Sequence, residues 1–234
     1  MRFFVFAITA LLSGMSVLSQ ESSADEQNQS WYLSGSYSTA VWSSDYWVED
    51  YFSQKSDAVV SHDNPRFKDF NNYSLGIGLR NGRFQTDLIY ENFGTVRWVV
   101  GTTVDRTPRT YDSGEMQIES TNLMLQVSYD LYEYDKGAFF VTAGVGQSEH
   151  HVDTAILNIS GIQVEYADPS NFFHTSFRGG FGLRHPVSDK ASLETRLNYS
   201  DYGMARVYDA STGYASYAIK MQAIEAGISL KYYF

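Results

Sequence analysis

Eight segments of this chain alternate residue by residue between an apolar and a polar side, and their connections run strictly long, short, long, short, long, short, long. Alternate side chains of a β-strand point to opposite faces, so each segment reads as a ribbon with one greasy and one polar side. The last one shows it most plainly. Ile224, Ala226, Ile228, Leu230, Tyr232 and Phe234 share one parity, and Glu225, Gly227, Ser229, Lys231 and Tyr233 the other. Earlier segments start near Trp31, Tyr73, Phe84, Asn122, Phe139, Phe173 and Leu193. Asn81-Gly82, between the second and third, is a tight-hairpin signal.

An even number of strands, with short turns at one end and long loops at the other, is the pattern of a barrel that crosses a membrane. The expected fold is all-β: an eight-stranded antiparallel up-and-down transmembrane β-barrel, closed so that no edge strand is left unpaired. A mean hydropathy of -0.30 would ordinarily suggest a soluble protein. Alternation explains it, because lipid-facing and lumen-facing residues average to a polar sequence.

Met1 and Arg2 precede an apolar run from Phe3 to Leu12 and then small residues at Ser13, Gly14, Ser16 and Ser19. This reads as a secretory signal peptide over residues 1–19, cleaved after Ser19, with Ala24 as a second candidate. The run is too short for a spanning helix. Residues 20–30 read as a disordered periplasmic lead-in, and 31–234 as the barrel. With no cysteine, disulfides, thiolate metal sites and cysteine nucleophiles are excluded. A formal charge of -10 argues against nucleic acid as a partner, which requires a basic surface.

Eight strands enclose an interior just wide enough for side chains. The inward parity should then carry small residues and mutually satisfied charges. Gly76, Gly78, Gly144, Gly146, Gly180, Gly182 and Gly227 supply room. Arg80, Arg178, Arg184, Arg196 and Lys231 face Asp87, Glu91, Asp130, Glu194 and Glu225. A balanced set is what a plugged lumen requires, since an unpaired buried charge is costly; the same residues could instead line a pore. Aromatics cluster at strand ends, Trp31, Tyr32, Tyr129–Tyr134 and Tyr232–Phe234 at one rim and Trp42, Tyr46, Trp47 and Trp98 at the other, as interfacial girdles do.

With Phe139-Phe-Val-Thr-Ala-Gly-Val-Gly146, Gly179-Gly-Phe-Gly-Leu-Arg184 and the strand ending in Phe234 in view, the chain resembles the small OmpA-like and opacity-type porin-family outer-membrane barrels over about Trp31 to Phe234. The resemblance implies a bacterial outer-membrane location. Its implied partners are outer-membrane lipid and lipopolysaccharide, and an assembly machinery that reads the C-terminal strand through Phe234. The role implied is structural or one of surface interaction, with a small porin or channel as the alternative.

A lipid A-modifying barrel enzyme is a further alternative, since His174 and Ser176 share one face of a strand. The register turns both toward arginines rather than lipid, and the chain is expected to have no catalytic residue and no cofactor. Glu149, His150, His151 and Asp153 form an acidic, imidazole-rich run in a long connection, expected to be solvated rather than to hold a metal. The loops lean acidic, net -3 over Ser43 to Phe70 and -4 over Glu149 to Ser170. They identify no ligand.

Overall fold

The structure, a computed structural model, describes residues 29–43, 47–48, 60–68, 70–104, 110–134, 137–159, 162–166, 171–208 and 215–234. All described elements are strands. Eight form the staves of a closed barrel: β1 (Gln29–Ser43), β2 (Asn71–Asn81), β3 (Phe84–Val104), β4 (Thr110–Tyr134), β5 (Gly137–Ile159), β6 (Asn171–Ser188), β7 (Ala191–Tyr208) and β8 (Ala215–Tyr233). Each pairs antiparallel with its chain neighbour, and β1 also pairs with β8, Tyr32 opposite Tyr233 and Tyr37 opposite Ile228. The barrel is thereby closed. Residues 1–28, which include the proposed signal peptide and most of the lead-in, lie outside the described residues.

The short turns follow the sequence closely, with small shifts. Asn81 pairs with Phe84, so Gly82 and Arg83 make the turn, with Gly82 at φ 57°. Pro186 is still in strand, opposite Ser192, and Asp189–Lys190 alone form the next turn. Gln29 and Ser30 already pair with Asn81 and Arg80, so the first stave begins ahead of Trp31.

Three of the four expected long loops are largely strand. In place of a loop from Phe93 to Glu119, β3 continues to Val104 and β4 starts at Thr110, with ladder pairs from Thr95–Glu119 to Val104–Thr110. Similarly β5 runs to Ile159, where Ile162–Tyr166 folds back on it, and β7 runs to Tyr208. Val60–Lys68 pairs along β3, and Trp47–Val48 along β8. The β3 extension, Gly94–Val104, is rich in β-branched residues, which suit pleated ladders.

Alternation in the sequence breaks off there because the apolar side changes faces. At belt level the outward residues are apolar: Leu33, Leu75, Tyr90, Val145, Phe177 and Leu230 are exposed. Beyond Asn92, Glu119, Gln147, Glu149, Asn171, Asp201 and Gln222, all outward and polar, the apolar residues turn inward, with Phe93, Val96, Ile118, Val152, Ala205 and Met221 buried. Two staves switch through bulges. The register slips between Asn92 and Thr95 and between Asp201 and Met204, where Gly94 (φ 60°) and Gly203 (φ 85°) take left-handed conformations. Each glycine N–H donates to the Asx side chain two residues earlier, at 2.7 Å to Asn92 and 2.9 Å to Asp201. One extra residue in a stave reverses its inward parity.

Candidate functional site

All ten expected luminal charges, Arg80, Asp87, Glu91, Asp130, Arg178, Arg184, Glu194, Arg196, Glu225 and Lys231, lie on the inward face. They gather into two clusters. Near the short turns, Arg184 donates from Nε to Glu194 (2.7 Å) and from Nη1 to both oxygens of Asp130 (2.6 and 2.7 Å). Arg80 reaches Asp130 at 3.3 Å, and Arg196 pairs with Glu194. Lys231 lies 3.2 Å from Glu194 and 3.5 Å from Asp87 and donates to Gln85 Oε1 at 2.6 Å.

The second cluster sits higher, on Arg178. Its Nη1 and Nη2 donate to the two oxygens of Glu91, at 2.7 and 3.0 Å, the bidentate fork that guanidinium makes best. Nε donates to Ser200 (3.0 Å) and Nη2 also to the Tyr202 hydroxyl (2.5 Å). Both hydroxyls pass a hydrogen bond on to Glu225 Oε2 at 2.8 Å. Asn72 and Asn122 complete the Glu91 carboxylate, and Ser176 donates to Asn122 at 2.7 Å. Ser176 is thus a buried structural hydroxyl with its proton committed to an amide.

Inward aromatics, which parity alone did not single out, sit among these charges. Tyr32 donates to Asp87 at 2.7 Å, and Lys231 Nζ stands 4.4 Å from its ring centre. Gly78 makes this possible, because a Cβ there would lie 2.3 Å from the Tyr32 ring. Phe140 lies beneath Arg184, 5.0 Å from its guanidinium carbon. A signal for Tyr32 existed, since it shares the even parity of Ser34, Ser36 and Ser38.

Above Arg178 the lumen is capped. Phe93 and Tyr202 meet edge to face with centroids 4.7 Å apart, and Phe70 packs on Phe93 at 5.4 Å. Two of the three come from the bulges, Asn92-Phe93-Gly94 and Asp201-Tyr202-Gly203, so an Asx-aromatic-Gly triplet on opposite staves is the sequence signature of the cap. His150 is buried there. Its Nε2 donates to the Tyr202 carbonyl (2.6 Å), leaving Nδ1 to accept from Ser120 (2.8 Å). Burial, with His174 6.1 Å away, holds its pKa down to about 4.

The expected solvated run Glu149–Asp153 lies instead within β5, in its second half. His150 points inward, while Glu149 and His151 both meet Asn171 on the outer face, so the three cannot converge on one ion. The Asp153 side chain, the acidic residues between Ser43 and Phe70, and the rim aromatics Trp42, Tyr46, Trp47 and Trp98 lie outside the described side chains.

No family model matches the chain, and no curated protein matches its sequence. Among solved structures it is similar to Neisserial surface protein A (10% identity, 87% of this chain and 97% of that one, TM-score 0.44). It is also similar to the outer-membrane protein OprG of Pseudomonas aeruginosa (13%, 88% and 96%, TM-score 0.44). The N-terminal β-barrel domain of OprF from the same organism matches at 12%, over 89% and 100%, with a TM-score of 0.37. The eight-stranded closed barrel itself rests on the strand pairing of this chain.

Proposed function

We propose that this chain is a bacterial outer-membrane barrel with a lumen plugged by its own side chains and a structural or surface-interaction role. The observation that carries the reading is the exposed apolar belt. Leu75 is 72% and Phe173 59% exposed, on a surface that water would not tolerate as a continuous ring and that lipid would. The plug reading is supported by the two ionic clusters and the aromatic cap above them. Surface interaction is supported by the length of β3, β4 and β5, which run far past the nine to eleven residues or so that a tilted membrane strand needs.

The belt's partners are lipid and, on the outer leaflet, lipopolysaccharide. Phe234 belongs to the belt, 65% exposed, with its N–H donating to the Trp31 carbonyl. It serves as the assembly signal read by the outer-membrane machinery, after a signal peptide ending near Ser19 is removed. Membrane fractionation with N-terminal sequencing tests location and processing: the expected product begins near Gln20 in the outer-membrane fraction. Recovery from the cytoplasm with Met1 intact overturns the reading. Single-channel recording of the refolded barrel tests the plug, with small, irregular current expected. A steady cation-selective current that Glu194→Gln alters would replace the plug with a channel.

A further inference from the structure

Tyr202 is held in place by side chains rather than by a strand ladder. The β6–β7 ladder ends at Phe177–Asp201, and the β7–β8 ladder skips from Asp201–Gln222 to Met204–Lys220. Tyr202 and Gly203 thus have no ladder partner on either side. Above them β6 and β7 share no ladder among the described residues, although β6 pairs with β5 up to Asn171 and β7 with β8 up to Tyr208. A seam without ladder bonds is where a wall opens locally at the least cost.

Three sets of contacts fasten Tyr202. Its carbonyl accepts from Ser148 Oγ (2.5 Å) and His150 Nε2 (2.6 Å), both on β5. Its ring lies against Phe93, and its hydroxyl donates to Glu225 while accepting from Arg178. His150 is fully buried. It faces Ser120 of β4, with Met221 of β8 behind that hydroxyl at 3.8 Å, and His174 of β6. The charged groups Arg178, Glu91 and Glu225 lie beyond the Tyr202 hydroxyl, and no carboxylate touches the imidazole among the described residues. A proton added at Nδ1 forces Ser120 to turn its own proton away and leaves an unpaired charge inside the cap, which only water relieves. The ladder-free seam beside Tyr202 is the way in. Phe172 and His174, inward on β6, are half-buried there rather than buried.

We propose that the Asp201-Tyr202-Gly203 bulge is an acid-released latch on the loop side of the lumen: a charged His150 draws water through the seam, and Tyr202 turns out of the cap. Its hydroxyl then leaves Arg178 and Glu225, and the upper ionic cluster opens toward the loops. With His150 at about 4 in the closed state and 6.5 in water, the open-to-closed ratio rises as pH falls from 6.5 to 4, by as much as about 300-fold. The latch stands whether the charges below plug the lumen or line a pore.

The refolded full barrel in uncharged detergent, with 4-fluorophenylalanine in place of Phe93 or of Phe181, is followed by fluorine NMR as pH is lowered. The label at position 93, against the Tyr202 ring, is expected to move toward its free shift over that window. It should also gain broadening from a soluble gadolinium chelate, while the belt label at position 181 stays unchanged. In His150→Gln, whose amide still offers a donor to the Tyr202 carbonyl, neither change is expected. Should that variant fail to fold, the wild-type midpoint decides, since it must coincide with the titration of the His150 ring protons; a separate midpoint overturns the latch. No change at position 93 overturns it, as does an equal change in His150→Gln. Changes at both labels would mark unfolding of the whole barrel and overturn it too.

Discussion

The interior of this barrel is made of two materials. At belt level it is ionic, with Glu194 holding three cations and Arg178 forked onto Glu91. Above the belt it is an aromatic and aliphatic cap of Phe70, Phe93, Ile118, Val152, Tyr202 and Met221. The difference follows from what lies outside the wall. Where lipid covers the outer face, only a polar inner face distinguishes in from out, and the register is set by keeping charges off lipid. Where water covers the outer face, burial of apolar residues drives folding as in a soluble barrel. The polarity of the wall therefore inverts at the rim, and Tyr202 joins the halves, its ring in the cap and its hydroxyl between Arg178 and Glu225.

The comparison is easiest to break at Glu194. Glu194→Gln leaves Arg184, Arg196 and Lys231 without a shared counter-charge and is expected to cost about 3–5 kcal/mol in urea unfolding. A cost below ~1 kcal/mol would show that the lower cluster is wet rather than buried. In the cap, Phe93→Ala should cost about 3 kcal/mol through the cavity it leaves. Because that loss is packing rather than charge, it should be the same at high and low salt, whereas a salt-dependent loss would tie the cap to the ionic network.

Acid should loosen the cap. With His150 held down to about 4 against an ordinary value of 6.5, the unfolded chain binds the proton more readily than the folded one. Stability is then fully present above pH 6.5, declines as pH falls below it and levels off below about 4. The protection factors of cap amides, referred to the intrinsic exchange rate at each pH, should fall over that window in wild type and not in His150→Gln. A flat exchange profile in wild type would place His150 in contact with water.

The two bulges separate backbone strain from packing. Gly94→Ala, with open space around the new Cβ, should cost about 1–2 kcal/mol for its left-handed φ alone. Gly203→Ala should cost more, because its Cβ would stand 2.3 Å from that of His174. Equal losses in unfolding would show that the β7 bulge relaxes. The smallest effect belongs to Glu225→Gln, which removes the upper cluster's surplus charge while Arg178 keeps both oxygens of Glu91. A change under ~1 kcal/mol is expected, and a loss as large as that of Glu194→Gln would make Glu225 the true partner of Arg178.

Within the belt, the sequence determined nearly everything by itself. Period-two alternation names the outward face of each stave, the connection lengths order them, and parity alone puts Arg80, Asp87, Arg178, Glu194 and Lys231 in the lumen. This works because lipid outside and side chains inside impose opposite chemistry on successive residues. Only the tertiary structure decided which charges meet. Arg178 and Glu91 are 87 positions apart, and five against five allows many pairings until the closure of β1 on β8 fixes the levels. The cap likewise needed the fold, because the bulges at Gly94 and Gly203 reverse parity and the long connections lose their alternation where water replaces lipid. A one-residue insertion is invisible to a periodic reading, yet just past Phe93 and Tyr202 it turns Val96 and Ala205 inward and carries the apolar interior on above the charges.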